Sequence, residues 1–125
     1  MNFDQSPEFA KELKKLSKKW RRLPGDLLEL QKVITTFYLG ANGVLSQHIR
    51  ESFFSTKKAA VLSKINDSCE TVKIRFDSQD LNSDMLRVTY MQNGESILFI
   101  ELYSKSQKNR EDQERIAKYT KQLKS

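Results

Sequence analysis

Three cations sit where a strand usually carries apolar or neutral side chains: Arg75 in "VKIRF", Arg87 in "LRVTY", and Lys105 just past "ILFIELYS". Each segment alternates or runs apolar as β-strands do, so each cation stands on a strand or at its end. If the strands pair in chain order, Arg75 and Arg87 share the face opposite Val72, Ile74, Leu86 and Val88, and Lys105 emerges near the same surface. Like charges side by side on a sheet repel. An anion between them removes the repulsion, and phosphate is the anion that guanidinium and ammonium groups hold well. The competing arrangement leaves each cation in water or pairs it with Asp77, Asp84 or Glu101 across strands.

Other chemistries are poorly represented. One histidine (His48) and one cysteine (Cys69) do not make a zinc site, no glycine-rich phosphate loop is present, and no Ser, His and Asp set has a recognisable spacing. Neither a metal nor a cofactor is therefore expected. His48 reads as an incidental loop or surface residue, and Cys69 as a small buried or half-buried side chain.

The elements that position the cations follow from periodicity. Phe9, Leu13, Leu16 and Trp20 recur at helical spacing after Ser6 and Pro7, with Lys11, Lys14, Lys15, Lys18 and Lys19 on the remaining circumference. "LPGD" breaks that helix, Asp26 is expected to cap a second one, and Leu27, Leu30, Ile34 and Phe37 form its buried stripe. Two amphipathic helices so closely linked should form a hairpin. The segment 44–70 has little pattern, although "TKKAAVLSKI" reads as a short helix. Strands are expected at 72–77, 85–91 and 96–103, the last two joined by a tight turn at Asn93 and Gly94. A final helix is expected from Asn109 as its cap, with Ile116, Tyr119 and Leu123 on its apolar face. The expected fold is α+β: a single domain, 1–125, with an N-terminal helical hairpin packed on a small antiparallel meander and a C-terminal helix.

Bulk composition agrees with one soluble domain. Hydrophobic residues make up 38% and charged residues 30%, and no apolar run approaches the roughly 20 residues needed to span a bilayer. The first residues lack the order of a secretion signal, and the lone Cys69 has no partner for a disulfide, so a reducing cytoplasm is expected. The net charge of +6 is concentrated in "KELKKLSKKWRR", whereas "FDSQDLNSD" carries only negative charge. Polyanions or an acidic protein are the partners such asymmetry favours, against the alternative of a merely solvated helix face.

Taken in order, "FAKELKKLSKKW", "LPGDLLEL", "VKIRF", "LRVTY" and "ILFIELYSKSQKNREDQERI" resemble the RelE/ParE superfamily of bacterial toxin-antitoxin toxins, over roughly 9–33 and 72–116. That resemblance implies a small α+β domain which, in the RelE branch, cleaves mRNA in the ribosomal decoding site without a metal. The ribose 2′-hydroxyl attacks the adjacent phosphate, leaving a cyclic phosphate and a 5′-hydroxyl, while cations stabilise the pentavalent transition state. Arg87 matches the family's sheet arginine and Lys105 its strand-end basic residue, with Arg75 as a third catalytic candidate. Lys14, Lys15, Lys18, Lys19, Lys73 and Lys108 are the candidate RNA contacts, and Tyr90 and Tyr103 read either as core aromatics or as hydrogen-bonding or stacking groups. A cognate antitoxin and mRNA on the ribosome are the implied partners. Relatives commonly carry a glycine- and lysine-rich loop before the sheet arginine, where this chain has "DSQDLNSD". A ParE-like inhibitor of DNA gyrase and a non-toxic binding module remain as alternatives.

Overall fold

The first helix forms because Ser6 presents its hydroxyl to the backbone N–H of Phe9 (3.1 Å) and Pro7 occupies the first turn, where its missing N–H costs nothing. In the computed structural model, which describes residues 1–39, 59–66, 68–76, 86–108 and 110–124, this helix is α1 (Pro7–Lys19). It is followed after Trp20, Arg21 and Arg22 by α2 (Leu23–Leu39). "LPGD" is thus the first turn of α2 rather than the break, and Asp26 is not its cap: the Asp26 N–H donates to the Arg22 carbonyl (2.9 Å), already inside the helical pattern. Proline in the first turn gives up no helical hydrogen bond, so the chain turns at the arginines instead.

Five strands form one mixed sheet in the order β1-β5-β4-β3-β2. They are β1 (Asn2–Gln5), β2 (Ala59–Asn66), β3 (Cys69–Phe76), β4 (Leu86–Asn93) and β5 (Ser96–Ser104). The expected meander is present as β3, β4 and β5, extended by β2, all antiparallel. Gly94, at φ +62°, makes the β4–β5 turn, the backbone angle a tight hairpin demands and a side chain resists. Two strands depart from expectation. The "AAVLSKI" segment, read as helical, is edge strand β2, because pairing with β3 outweighs the helix preference of Ala, Leu and Lys. Its register slips twice, between Val61 and Ser63 and between Lys64 and Asn66. Strand β1, too short to show a period, lies parallel to β5, from Asn2 opposite Ser96 to Gln5 opposite Phe99.

Both faces of the sheet are covered. On the first, α1 and α2 bury Phe9, Leu16, Leu23, Leu27 and Ile34 against Val72, Ile74, Val88, Tyr90 and Phe99. Phe99 stacks on Phe9 with ring centroids 5.2 Å apart. Each such side chain contributes roughly 1.5–3 kcal/mol of burial. On the second face lies the last helix, α3 (Gln113–Lys124), whose Ile116 and Tyr119 close over Met91 and Ile100. Asp112, not Asn109, caps it: its carboxylate accepts from the Arg115 N–H at 3.0 Å. Residue 109 and the expected Leu123 contact lie outside the described side chains, as do His48 and the acidic segment 77–85. No helix among the described residues is long and apolar enough to cross a membrane.

A register shift between Thr89 and Tyr90 inserts one extra residue into β5, so that Tyr90 faces Phe99 while Thr89 faces Glu101. The bulge lets Ile100 pack under α3 while Leu102 reaches the opposite core.

Candidate functional site

Register fixes the site. Arg75 on β3 is directly opposite Arg87 on β4, and Arg87 is directly opposite Tyr103 on β5, making one row across three strands. The adjoining row is Lys73, Thr89 and Glu101. Paired residues on neighbouring strands stand about 4.5–5.5 Å apart at Cβ, so two guanidinium stems and a phenol start from one small patch. The patch lies beyond the part of the sheet that α3 covers, on the face away from α1 and α2.

Arg75 and Arg87 are brought together as the sequence suggests, but not in the open. Arg87 is only 5% exposed and Arg75 is half-buried, whereas both were expected on an uncovered face. Lys105 stands where the sequence places it, just past the end of β5, exposed in the turn 105–107. That turn is tied back to the strand end, Ser104 N–H donating to Gln107 Oε1 (3.1 Å) and Gln107 N–H to the Ser104 carbonyl (3.0 Å).

Two of the candidate RNA contacts are already paired. Lys73 donates to Glu111 at 3.1 Å, and Lys108 donates to Glu101, a fully buried carboxylate that also accepts from the Asp112 N–H at 2.9 Å. Glu101 thereby pins the segment between β5 and α3 onto the sheet. Burial works to raise the Glu111 carboxyl's pKa, but its own backbone N–H and Lys73 outweigh that and hold it below its ordinary range. Lys14, Lys15, Lys18 and Lys19 are exposed on α1, with Lys19 4.9 Å from the Trp20 ring.

Tyr103 is the residue whose part the pattern left open, and the structure singles it out. It is 2% exposed, yet its hydroxyl finds no hydrogen-bond partner among the described residues; the same is true of Thr89 Oγ1 in the next row. Burial, reinforced by Glu111 and Glu101, pushes the phenol up to about 12, while Arg87 and Arg75 pull the other way. It is therefore a neutral proton donor at pH 7 in a charged setting. In sequence it is indistinguishable from a packed aromatic, because only the register puts it opposite Arg87. Tyr90, the other candidate, belongs to the core: its hydroxyl meets that of Tyr38 (3.0 Å), which donates to buried Glu70 (2.8 Å).

Chemically, two guanidinium groups and a protonated phenol suit stabilisation of negative charge developing on a phosphoryl oxygen and delivery of a proton to a leaving one. No family model matches the chain, and no curated protein or solved structure matches it significantly.

Proposed function

We propose that the protein is the toxin of a type II toxin-antitoxin pair, a cytoplasmic, metal-independent endoribonuclease that cleaves mRNA on the ribosome and so inhibits translation. The observation that carries this reading is the Arg75–Arg87–Tyr103 row. Two arginines in direct register start close enough together for both guanidinium groups to reach one phosphate. In the proposed reaction the 2′-hydroxyl gives its proton to solvent water as it bonds to the neighbouring phosphorus, and Arg87 and Arg75 neutralise the charge on the pentavalent phosphorane. The P–O5′ bond breaks as the Tyr103 phenol protonates the departing 5′-oxygen and regains a proton from water. The α1 lysines and Lys105 supply the sequence-independent attraction to the RNA backbone. The α+β class of the fold is also what the sequence resemblance implies. A cognate antitoxin, acidic where it meets these cations, completes the proposal.

The depth of Arg87 and the internal pairing of Lys73 and Lys108 favour a second reading, that of a gyrase inhibitor working through its outer surface. Induced expression separates the two. New mRNA 5′ ends inside translated frames, found by primer extension, support the nuclease; intact transcripts with cleaved DNA and an SOS response support the inhibitor.

A further inference from the structure

The sheet ends in an unusual way at β5. Strand β1 pairs only as far as Phe99, so the second half of β5 would be an open edge, yet its backbone groups are taken by side chains. The Ile100 carbonyl accepts from Ser6 Oγ (3.3 Å) and Arg115 (3.0 Å), the Leu102 N–H donates to Glu12 (3.1 Å), and the Ser104 N–H donates to Gln107. Glu12 is in turn neutralised by Arg115 at 2.8 Å. An added peptide strand would find these positions occupied.

A cleft of about 230 Å³ nevertheless opens along this edge, between α1 and the turn after β5. Lys15 stands on its α1 side, Gln107 and Lys108 on the other, and Tyr103 lines it between them. Lys15 is exposed and shows no ion-pair or hydrogen-bond partner among the described residues. Gln107 spends its carbonyl on Ser104 and keeps its amide N–H₂ for a ligand. Lys108 lies over the Tyr103 ring, 5.0 Å from its centroid, and answers to Glu101. Glu12, Leu16 and Leu102 complete the lining, the Glu12 carboxylate being held by Arg115. The cleft therefore offers the Lys15 ammonium and the Gln107 amide to an oxyanion on a flexible chain and no strand-pairing backbone to an extended peptide.

We infer that this cleft holds a backbone phosphate of single-stranded RNA next to the one at the arginine row, so that the strand passes from the sheet face, past Tyr103, to the lysines of α1. The inference rests on the RNA reading above but concerns binding, not cleavage. Tyr103 joins the two places, since it belongs both to the row and to the cleft.

The test is fluorescence anisotropy with a short labelled oligouridylate, titrated at several salt concentrations with purified protein. Lys15→Gln should weaken binding several-fold and lower the slope of log K against log salt by about 0.7, the share of one phosphate contact on a single strand. Lys11→Gln removes the same charge from the same helix outside the cleft, and should weaken binding less than half as much with a smaller change of slope. Both positions are exposed, so circular dichroism should show the fold unchanged. Equal losses in the two variants, or none in Lys15→Gln, overturn the inference. Cleavage stands apart: a cleft-specific loss with intact cellular transcripts keeps the cleft and removes the nuclease. Cut transcripts with wild-type binding by Lys15→Gln do the reverse.

Discussion

Removing one oxygen from Tyr103 should make the protein more stable and less active. The hydroxyl is buried without a hydrogen-bond partner among the described residues, so folding strips it of water and returns nothing for it. Leaving such a group unsatisfied costs about 1–3 kcal/mol. Tyr103→Phe keeps the ring, its contact with the Lys108 ammonium and its place opposite Arg87, and deletes only that cost. A gain of about 1 kcal/mol is the conservative expectation, a rise in Tm of roughly 3–5 °C for a chain of this size. Activity should move the other way. A donor aimed at charge developing on phosphate contributes about 2.7–4 kcal/mol to the transition state, so cleavage should fall on the order of a hundredfold or more. The assay is differential scanning calorimetry beside cleavage of mRNA on purified ribosomes. Lower stability would mean that the hydroxyl has a partner in the folded protein. Higher stability with unchanged cleavage would make Tyr103 a packing residue and remove the proton donor from the mechanism.

Arg87→Lys keeps a cation at the centre of the row but loses the guanidinium fork, and cleavage should drop about tenfold or more while single-turnover binding of the ribosome changes little. Lys108→Met strands the buried Glu101 carboxylate and should cost about 3 kcal/mol in urea unfolding, whereas adding Glu101→Gln should restore most of it; additive losses would show that the two are not coupled. Glu8 is held at about 2, first by the hydrogen bond from Lys118 (2.5 Å) and then by that from Tyr119. Because the folded value lies below the ordinary 4.5, its contribution is complete above that pH and disappears as pH falls through about 2. The Tm difference between wild type and Glu8→Gln should therefore shrink over that window, and a constant difference would mean that the α1–α3 contact does not depend on the Glu8 charge.

The elements with a clean period are legible in the amino-acid order itself: the stripe of Phe9, Leu16 and Trp20, the alternation of Val72 and Ile74, the turn at Gly94. Missed features are those decided by distant partners. "AAVLSKI" has the composition of a helix and becomes a strand because β3 offers it a ladder, and "NFDQ" is a strand only beside β5. For the site, the pairing of Arg75 with Arg87 can be read from alternation alone. Tyr103 cannot be singled out that way, because its partner across the ladder depends on a one-residue bulge in β5 that leaves no mark in composition. Burial is likewise invisible: nothing in "LRVTY" shows that the arginine is enclosed, or that Glu101 and Glu111 answer Lys108 and Lys73.

The parallel pairing of β1 with β5 also sets an order of events. Ser6 and Ile100, joined by a hydrogen bond where the two strands part, are 94 residues apart in the chain. Contacts of such separation form late and slow folding, because the intervening loop must close before they contribute. During synthesis β1 and α1 leave the ribosome long before β5 exists, and both the Tyr103 end of the arginine row and the far wall of the Lys15 cleft arrive with that last strand and its turn. A nascent chain can therefore form its helical hairpin early while the charged face is still absent. Whatever this face acts upon meets it only after β5 and the turn that follows have been made.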